Sequence, residues 1–338
     1  MRAGERPRAA IVGAGLMGRW HADAARRAGG VVVGVADPDV DRAALLARRA
    51  GGVRAERELA PLLRGGAVDV VHICSPLATH LPLALAALEA GCHVLVEKPL
   101  APSLEAADRL LSAAGSRRLL LTPVHQFLFQ RGVLTAAARL PSLGPLRHLE
   151  MEVCSAGAER PGASRDEVAL EILPHALALA ARFSAQAVDE GEWRCGHPAD
   201  GELHLTGTVG GVGVSARISM RGRPPVNRLR LVAERGTIHA DLFHGFAVEE
   251  APGTSRLMKV MRPLLFATRL GGAAAGNLAR RALSLESAYP GLRELVRRFY
   301  SSAVTGGANP IPVAETRAVT AVWERLRRQL ETAARPSG

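Results

Sequence analysis

Only two of the forty-three basic residues in this 338-residue chain are lysines, and one of them, Lys98, stands in Val96-Glu97-Lys98-Pro99 at the end of an apolar run. Arginine keeps its charge at any accessible pH, whereas burial and neighbours can tune a lysine to exchange a proton near neutrality. An Arg-rich chain with Lys at this point suggests proton transfer at Lys98; chance is the alternative, since Lys259 has no such context. Further along, Glu171-Ile172-Leu173-Pro174-His175 sets a carboxylate four residues from an imidazole, on one side of a helix if the segment is helical. Pro174 would remove a helical N–H and kink such a helix at a cost of ~3 kcal/mol. A break beside two titratable residues suggests a segment shaped for a site. The other reading is a helix that begins late, with Pro174 in its first turn and His175 in the core.

Lys98 is preceded in the chain by a pattern that binds dinucleotides. The β-like run at 8–12 opens into Gly13-Ala14-Gly15-Leu16-Met17-Gly18, and the Ala- and Arg-rich stretch from Trp20 to Ala28 reads as helix. The first glycine permits a tight turn, the second lets the backbone approach a pyrophosphate, and the third lets the helix pack closely on the strand. The helix N-terminus adds N–H groups and positive dipole, which involves Leu16 and Met17 as well. A second strand, Val31–Ala36, ends in Asp37, nineteen residues past Gly18, where an acid meets the adenosine ribose hydroxyls. A carboxylate there repels a 2′-phosphate and favours NAD; Arg42 is close enough in sequence to keep NADP possible.

These residues need a parallel sheet to position them. Strand-like runs at 68–73 and 93–96 alternate with helical stretches at 80–90 and up to Leu111, which implies parallel strands with a ligand crevice at their carboxyl ends. Ser75, Pro76, Glu97 and Lys98 all lie at such ends and should gather near the nicotinamide. Beyond about residue 124 the alternation stops, and strand-like runs cluster at 146–153, 202–209, 212–220, 228–233 and 237–242. Strand after strand predicts a separate sheet, with Gly207, Gly210, Gly211 and Gly213 read as turns between the runs. Helical apolar spacing returns at 292–300 and 313–330, to which no chemistry is assigned, and residues 335–338 read as a frayed end.

Together these residues resemble the Gfo/Idh/MocA family, the glucose-fructose oxidoreductase and inositol dehydrogenase group. The resemblance rests on the Gly13-to-Gly18 loop, Asp37, Ser75-Pro76 with His80, Glu97-Lys98-Pro99, Glu171 to His175, and Arg235-Gly236-Thr237-Ile238. It implies an α/β fold: an N-terminal Rossmann domain over residues 1–124, followed at 125–338 by an α+β domain with a large, mostly antiparallel sheet. That sheet often joins family members into homodimers or homotetramers. It also implies that Lys98 and the helical pair Glu171 and His175 frame the substrate, with His80 at the cofactor. Two departures stand out. Glu171 replaces the usual Asp, which moves the carboxylate by about one bond length. Leu128 in Val124-His125-Gln126-Phe127-Leu128-Phe129 puts no charge where many members carry an Arg-Phe-like pair, while His125 and Gln126 could hydrogen-bond substrate or simply end a strand.

The expected reaction is hydride exchange between a nicotinamide and a secondary alcohol or ketone of a sugar, polyol or related metabolite. Lys98 and His175 handle the proton, Glu97 helps to hold Lys98, and Glu171 orients His175 or binds a neighbouring hydroxyl; no metal is needed. The alternatives are an NAD-binding sensor without turnover, or a glycoside hydrolase using NAD transiently with no net change in redox state.

Net charge is +11, yet helix-turn-helix and zinc-finger spacings are missing and aromatics make up only 4%, which argues against nucleic acid. Four scattered cysteines without a Cys-x-x-Cys pair fit a reducing cytoplasm, and the N-terminal apolar run is too short for an export signal. Six positive charges, from Arg256 to Arg281, fall in one acid-free segment that mixes them with long apolar side chains. This stretch, near 254–285, reads as an inserted helix pair, partly buried with its arginines reaching water. Contact with an anionic membrane surface, a lipid-linked or phosphorylated substrate, or another subunit is the alternative.

Overall fold

The computed structural model describes residues 6–155, 163–250, 252, 255–284 and 291–333. It divides into two compact units, Met1–His125 with Leu292–Glu324, and Gln126–Gly291 with Arg325–Gly338. The chain end at 335–338 and positions 254 and 285 lie outside the described residues.

In the first unit the order is β1 (Arg8–Val12), α1 (Leu16–Arg27), β2 (Val31–Ala36), α2 (Val40–Arg49), β3 (Arg54–Glu56), α3 (Ala60–Leu63), β4 (Val70–Ile73), α4 (His80–Glu89), β5 (His93–Val96), α5 (Leu104–Ser116) and β6 (Leu121–Pro123). The strands form one parallel sheet in the order β3-β2-β1-β4-β5-β6. Helices on a parallel sheet bury both its faces, which is why the central strands are apolar almost throughout. Val12, Val71, Ile73, Val94 and Val96 pack with Ala84, Leu88 and Leu110 of the covering helices. Strand order reverses between β1 and β4, so the loops after these two strands diverge and leave a crevice.

The second unit runs through α6 (Arg131–Arg139), β7 (Leu146–Cys154), α7 (Arg165–Phe183), β8 (Glu192–Ala199), β9 (Glu202–Val209), β10 (Val212–Ser219), β11 (Val226–Ala233), β12 (Gly236–Asp241), β13 (Phe246–Glu250) and α8 (Arg256–Ser284). Its sheet has the order β13-β12-β11-β7-β10-β9-β8, antiparallel except for the β7–β10 pair. Burial alternates along β7, and the outward Glu150 and Glu152 meet Arg230 at 3.1 Å and Arg228 at 3.8 Å on β11. Such cross-strand pairs fix register on an exposed face.

Three expectations change. Gly210 and Gly211 form the β9–β10 turn, but Gly207 and Gly213 lie inside strands. There they clear room for a neighbour: a Cβ on Gly207 would meet the Trp193 ring at 2.5 Å, and one on Gly213 would meet the His148 ring at 2.4 Å. The basic segment is one 29-residue helix, α8, with Pro263 inside it, instead of a helix pair. Its apolar side chains are largely exposed, Val260 at 75% and Leu283 at 88%, while Phe266 is half-buried with its ring 4.8 Å from that of His239. Its arginines point back to β13, with Arg262 Nε 2.6 Å from Glu250 and an Arg269 N–H donating to the Glu249 carbonyl. Finally α9 (Leu292–Thr305) and the first part of α10 (Val313–Ala333) group with the first unit, although the sequence reading gave them to the second domain. The apolar side of α9, including Phe299 and Tyr300, is buried, and α9 packs against α1.

Candidate active site

The carboxyl ends of the parallel strands bring the predicted residues of the first unit onto one crest. After β1 the chain turns through Gly13 at φ 92°, a left-handed conformation suited to glycine. A Cβ there would lie 2.7 Å from the Cys74 carbonyl, so Gly13 is what lets the loops after β1 and β4 touch across the point where strand order reverses. A Cβ on Gly18 would lie 1.8 Å from the Gly13 carbonyl oxygen, which closes helix α1 onto its own loop. Above Gly15 nothing lies within 4 Å, and as N-cap it offers no side chain to the first-turn N–H groups of Leu16, Met17 and Gly18. That open, uncapped helix start fits a pyrophosphate.

Asp37 ends β2, buried, and one carboxylate oxygen accepts from the Ala14 N–H at 2.7 Å while the other accepts from the Asp39 N–H at 2.9 Å. Asp37 thus braces the glycine loop before any ribose is considered. Arg42 donates to Asp39 at 2.8 Å and stands 3.7 Å from Asp37.

After β4, Ser75 Oγ and Thr79 Oγ1 are 2.6 Å apart, and Pro76 precedes the turn into α4. His80 is buried, with Nδ1 2.9 Å from the Pro99 carbonyl and Nε2 2.9 Å from the Ser75 carbonyl. It links the loops after β4 and β5. Burial holds it below the ordinary imidazole range, against the pull of these carbonyls and of Glu97, so only one of the two contacts is a hydrogen bond at a time.

Glu97 and Lys98 follow β5. Glu97 is 7% exposed, and its Oε1 is 3.1 Å from His21 Nε2 while its Oε2 takes the Lys98 backbone N–H at 3.3 Å. Burial works to raise its carboxyl, but His21, bonded to it, and Lys98 outweigh this and hold Glu97 below its usual range. His125, just past β6, is buried, and that burial together with the charge of Lys98 brings it down to about 4. It is therefore a neutral ring at physiological pH.

The remaining predicted residues belong to the second unit. Ser164 caps α7 reciprocally with Glu167, and Asp166 accepts from the Gly201 N–H at 2.6 Å, so the helix begins well before Glu171. Pro174 lies mid-helix, which rules out the late start, and α7 runs unbroken to Phe183. Glu171 is half-buried; His175, one turn on, is 5% exposed and stacks on Phe127 with ring centroids 4.3 Å apart. Gln126 is buried with Oε1 lacking a hydrogen-bond partner among the described residues, an acceptor suited to a ligand hydroxyl.

Three residues escaped the sequence reading: His21, His72 and Tyr300. A histidine inside the otherwise apolar Val70-Val71-His72-Ile73 strand was the available signal, since a buried imidazole must find partners.

Comparison with known proteins bears on the first unit above all. Residues 7–125 match an oxidoreductase family described as an NAD-binding Rossmann fold. Inositol 2-dehydrogenase 4 of Saccharopolyspora erythraea is 41% identical over 116 residues, 33% of this chain and 34% of that protein. UDP-N-acetylglucosamine 3-dehydrogenase of Acidithiobacillus ferrooxidans is 32% identical over 180 residues, 51% of this chain and 52% of that protein. The matched stretch therefore spans about a third to a half of these relatives. Over nearly the whole chain the fold is shared with levoglucosan dehydrogenase in complex with NADH and levoglucosan (TM-score 0.79, 16% identity, 98% of each chain). It is shared too with GenD2 from gentamicin A biosynthesis in complex with NAD (TM-score 0.76, 21% identity, 98% of this chain and 96% of that one).

Proposed function

Through its N-terminal domain the chain belongs to the Gfo/Idh/MocA oxidoreductase family, and on that premise we propose that it exchanges a hydride between a nicotinamide dinucleotide and a secondary alcohol or ketone of a sugar, polyol or related metabolite. The observation that carries this reading is the crest of the first sheet, where the open glycine loop follows β1 and Lys98 follows β5 directly after a buried carboxylate, Glu97. The dinucleotide, when bound, supplies the hydride acceptor or donor.

The chain's own residues divide the remaining work. Gly13, Gly15, Leu16, Met17 and Gly18 hold the pyrophosphate, and Asp37 takes the ribose hydroxyls with lone pairs its backbone contacts leave over. That carboxylate favours NAD over NADP, supported by the engagement of Arg42 with Asp39. Ser75 and Pro76 border the nicotinamide, and His80 keeps their loop against the Lys-Pro turn. In the oxidising direction Lys98 takes the hydroxyl proton, His175 bonds the same oxygen and shares that proton, and Glu171 orients His175 or binds a neighbouring hydroxyl. Gln126 and His125 offer further polar contacts to the substrate. Because His125 is neutral near physiological pH, it adds no charge that competes with Lys98 for the oxygen.

Absorbance at 340 nm, with NAD or NADP against polyols, sugars and sugar nucleotides, tests the reaction. The native chain should reduce the cofactor. Lys98→Met should lose about two to four orders of magnitude in turnover while NADH fluorescence still reports binding. Turnover that survives in Lys98→Met would remove Lys98 from its role.

A homodimer or homotetramer through the second sheet belongs to the same proposal. Its support is the polar outward face of that sheet beside the exposed Leu257, Val260, Leu264 and Leu278 of α8. Light scattering should give two or four chains per particle, and a stable monomer would refute it.

A further inference from the structure

Behind Glu97, inside the first unit, four side chains form a continuous buried line. Tyr300 Oη is 2.8 Å from His72 Nε2, His72 Nδ1 is 2.9 Å from His21 Nδ1, and His21 Nε2 is 3.1 Å from Glu97 Oε1. His21 and His72 are fully buried and Tyr300 is 2% exposed. The two imidazoles meet edge to face at 5.2 Å, and His72 meets the Tyr300 ring the same way at 5.8 Å.

The direction of the bonds follows from counting protons. Two Nδ1 atoms facing each other need one donor and one acceptor. If His21 carried protons on both nitrogens, it would donate to His72 Nδ1. His72 would then donate from Nε2 to the tyrosine oxygen, and the Tyr300 hydroxyl hydrogen would need another acceptor. Among the described residues His72 is the only hydrogen-bond partner of that hydroxyl. A buried donor left unmade is expensive. The opposite order satisfies every group: Tyr300 O–H donates to His72 Nε2, His72 Nδ1–H to His21 Nδ1, and His21 Nε2–H to the Glu97 carboxylate. Both rings are then neutral, in keeping with the burial that holds His72 well below the ordinary imidazole range.

This has a consequence for Lys98. The groups that feel the charge of Glu97 are His21 from α1, Cys74 after β4, His80 from α4, Lys98, and His125 after β6. An imidazolium at His21 would take up that charge from behind. A neutral His21 binds Glu97 firmly and leaves its charge to the lysine.

We propose that His21, His72 and Tyr300 are positioning residues that form a one-way hydrogen-bond chain, keeping Glu97 an anion whose charge is directed at Lys98. The inference rests on the dehydrogenase reading only for its functional meaning; the direction of the chain can be measured without substrate or cofactor.

The first test is the ring-nitrogen spectrum of the full chain labelled with 15N-histidine at neutral pH, assigned with His72→Gln and His21→Gln. The expected result is one proton on Nδ1 of His72 and one on Nε2 of His21. A proton on Nε2 of His72, or two on His21, overturns the proposal whatever the enzyme does. The second test uses Tyr300→Phe, which keeps the ring and removes the donor that sets the direction. The order of protons along the line is then no longer set from Tyr300, so the pH profile of kcat should change shape while KM stays the same. A pH profile superimposable on the native one, with only a lower Tm, would reduce Tyr300 to a packing residue and refute its positioning role. If the native chain itself gives no signal at 340 nm, the dehydrogenase reading fails while the nitrogen result still decides the chain.

Discussion

The two sheets treat polar side chains in opposite ways. In the parallel sheet a polar residue in a central strand has no route to water, so His72 is buried and bonded on both ring nitrogens to other side chains. In the second sheet polar residues alternate with apolar ones, and those facing out, such as Glu150 and Arg230, pair in solvent at 3.1 Å. Covering both faces forces polar groups into closed networks whose protons are accounted for one by one. Leaving one face open lets them pair loosely, where an ion pair is worth at most about 1 kcal/mol. Chemistry that needs a fixed proton inventory belongs on the first kind of sheet.

The sharpest way to break this contrast is a matched pair of glycine substitutions. Gly18→Ala places a methyl 1.8 Å from a backbone oxygen in the loop itself. It should abolish NADH binding measured by fluorescence, and retained binding would mean that the loop is not the cofactor cradle. Gly207→Ala presses on Trp193 in the second sheet instead. It should destabilise the protein by about 1–3 kcal/mol in urea unfolding while NADH still binds.

Acid should separate the two regions next. His72, His80, His93 and His125 of the first unit are all held low, burial being the first cause in each case. Folded values below unfolded ones mean that the unfolded chain binds more protons as pH falls. The stability contributed by these groups is complete above about pH 6.5 and declines below it. Hydrogen exchange, corrected for intrinsic rates, should show β1 and β4 losing protection between pH 7 and 5 before β7 and β10 do. Equal loss in both sheets would contradict the assignment.

The smallest effect is expected at α8, where Gly276 has nothing within 4 Å of a would-be Cβ. Gly276→Ala should raise helix content and add up to about 1 kcal/mol with no change in cofactor binding. A loss of stability would mean that the glycine accommodates something in the assembled protein.

How much of this was legible beforehand depended on whether a signal was local. The glycine loop, Asp37 and the Glu-Lys-Pro turn could be read because each is a short motif at the end of an apolar strand. The five longer runs of the second sheet were legible through strand-length apolar patterning. Its edge strands β8 and β13 were not, because β8 is largely exposed and carries too little apolar pattern to register. Gly207 and Gly213 were misread as turns because a glycine that clears space for Trp193 or His148 looks the same in sequence as one that bends the chain. Tyr300 lies 228 residues from His72, so nothing in either segment announced their bond. That α8 is a single helix was not legible, because its glycines at 271 and 272 are weak helix formers, which an exposed helix tolerates at modest cost.

The exposed helix also gives the molecule a single proteolytic fuse. Of the two lysines, Lys98 precedes a proline and is half-buried, whereas Lys259 stands exposed in α8 with Val260 after it. Proteases that cut after lysine are slow before proline, and a helix with no buried residue opens locally at little cost. Such a protease therefore has one good scissile bond in these 338 residues, and the rate of that one cut measures how much of the time α8 is covered.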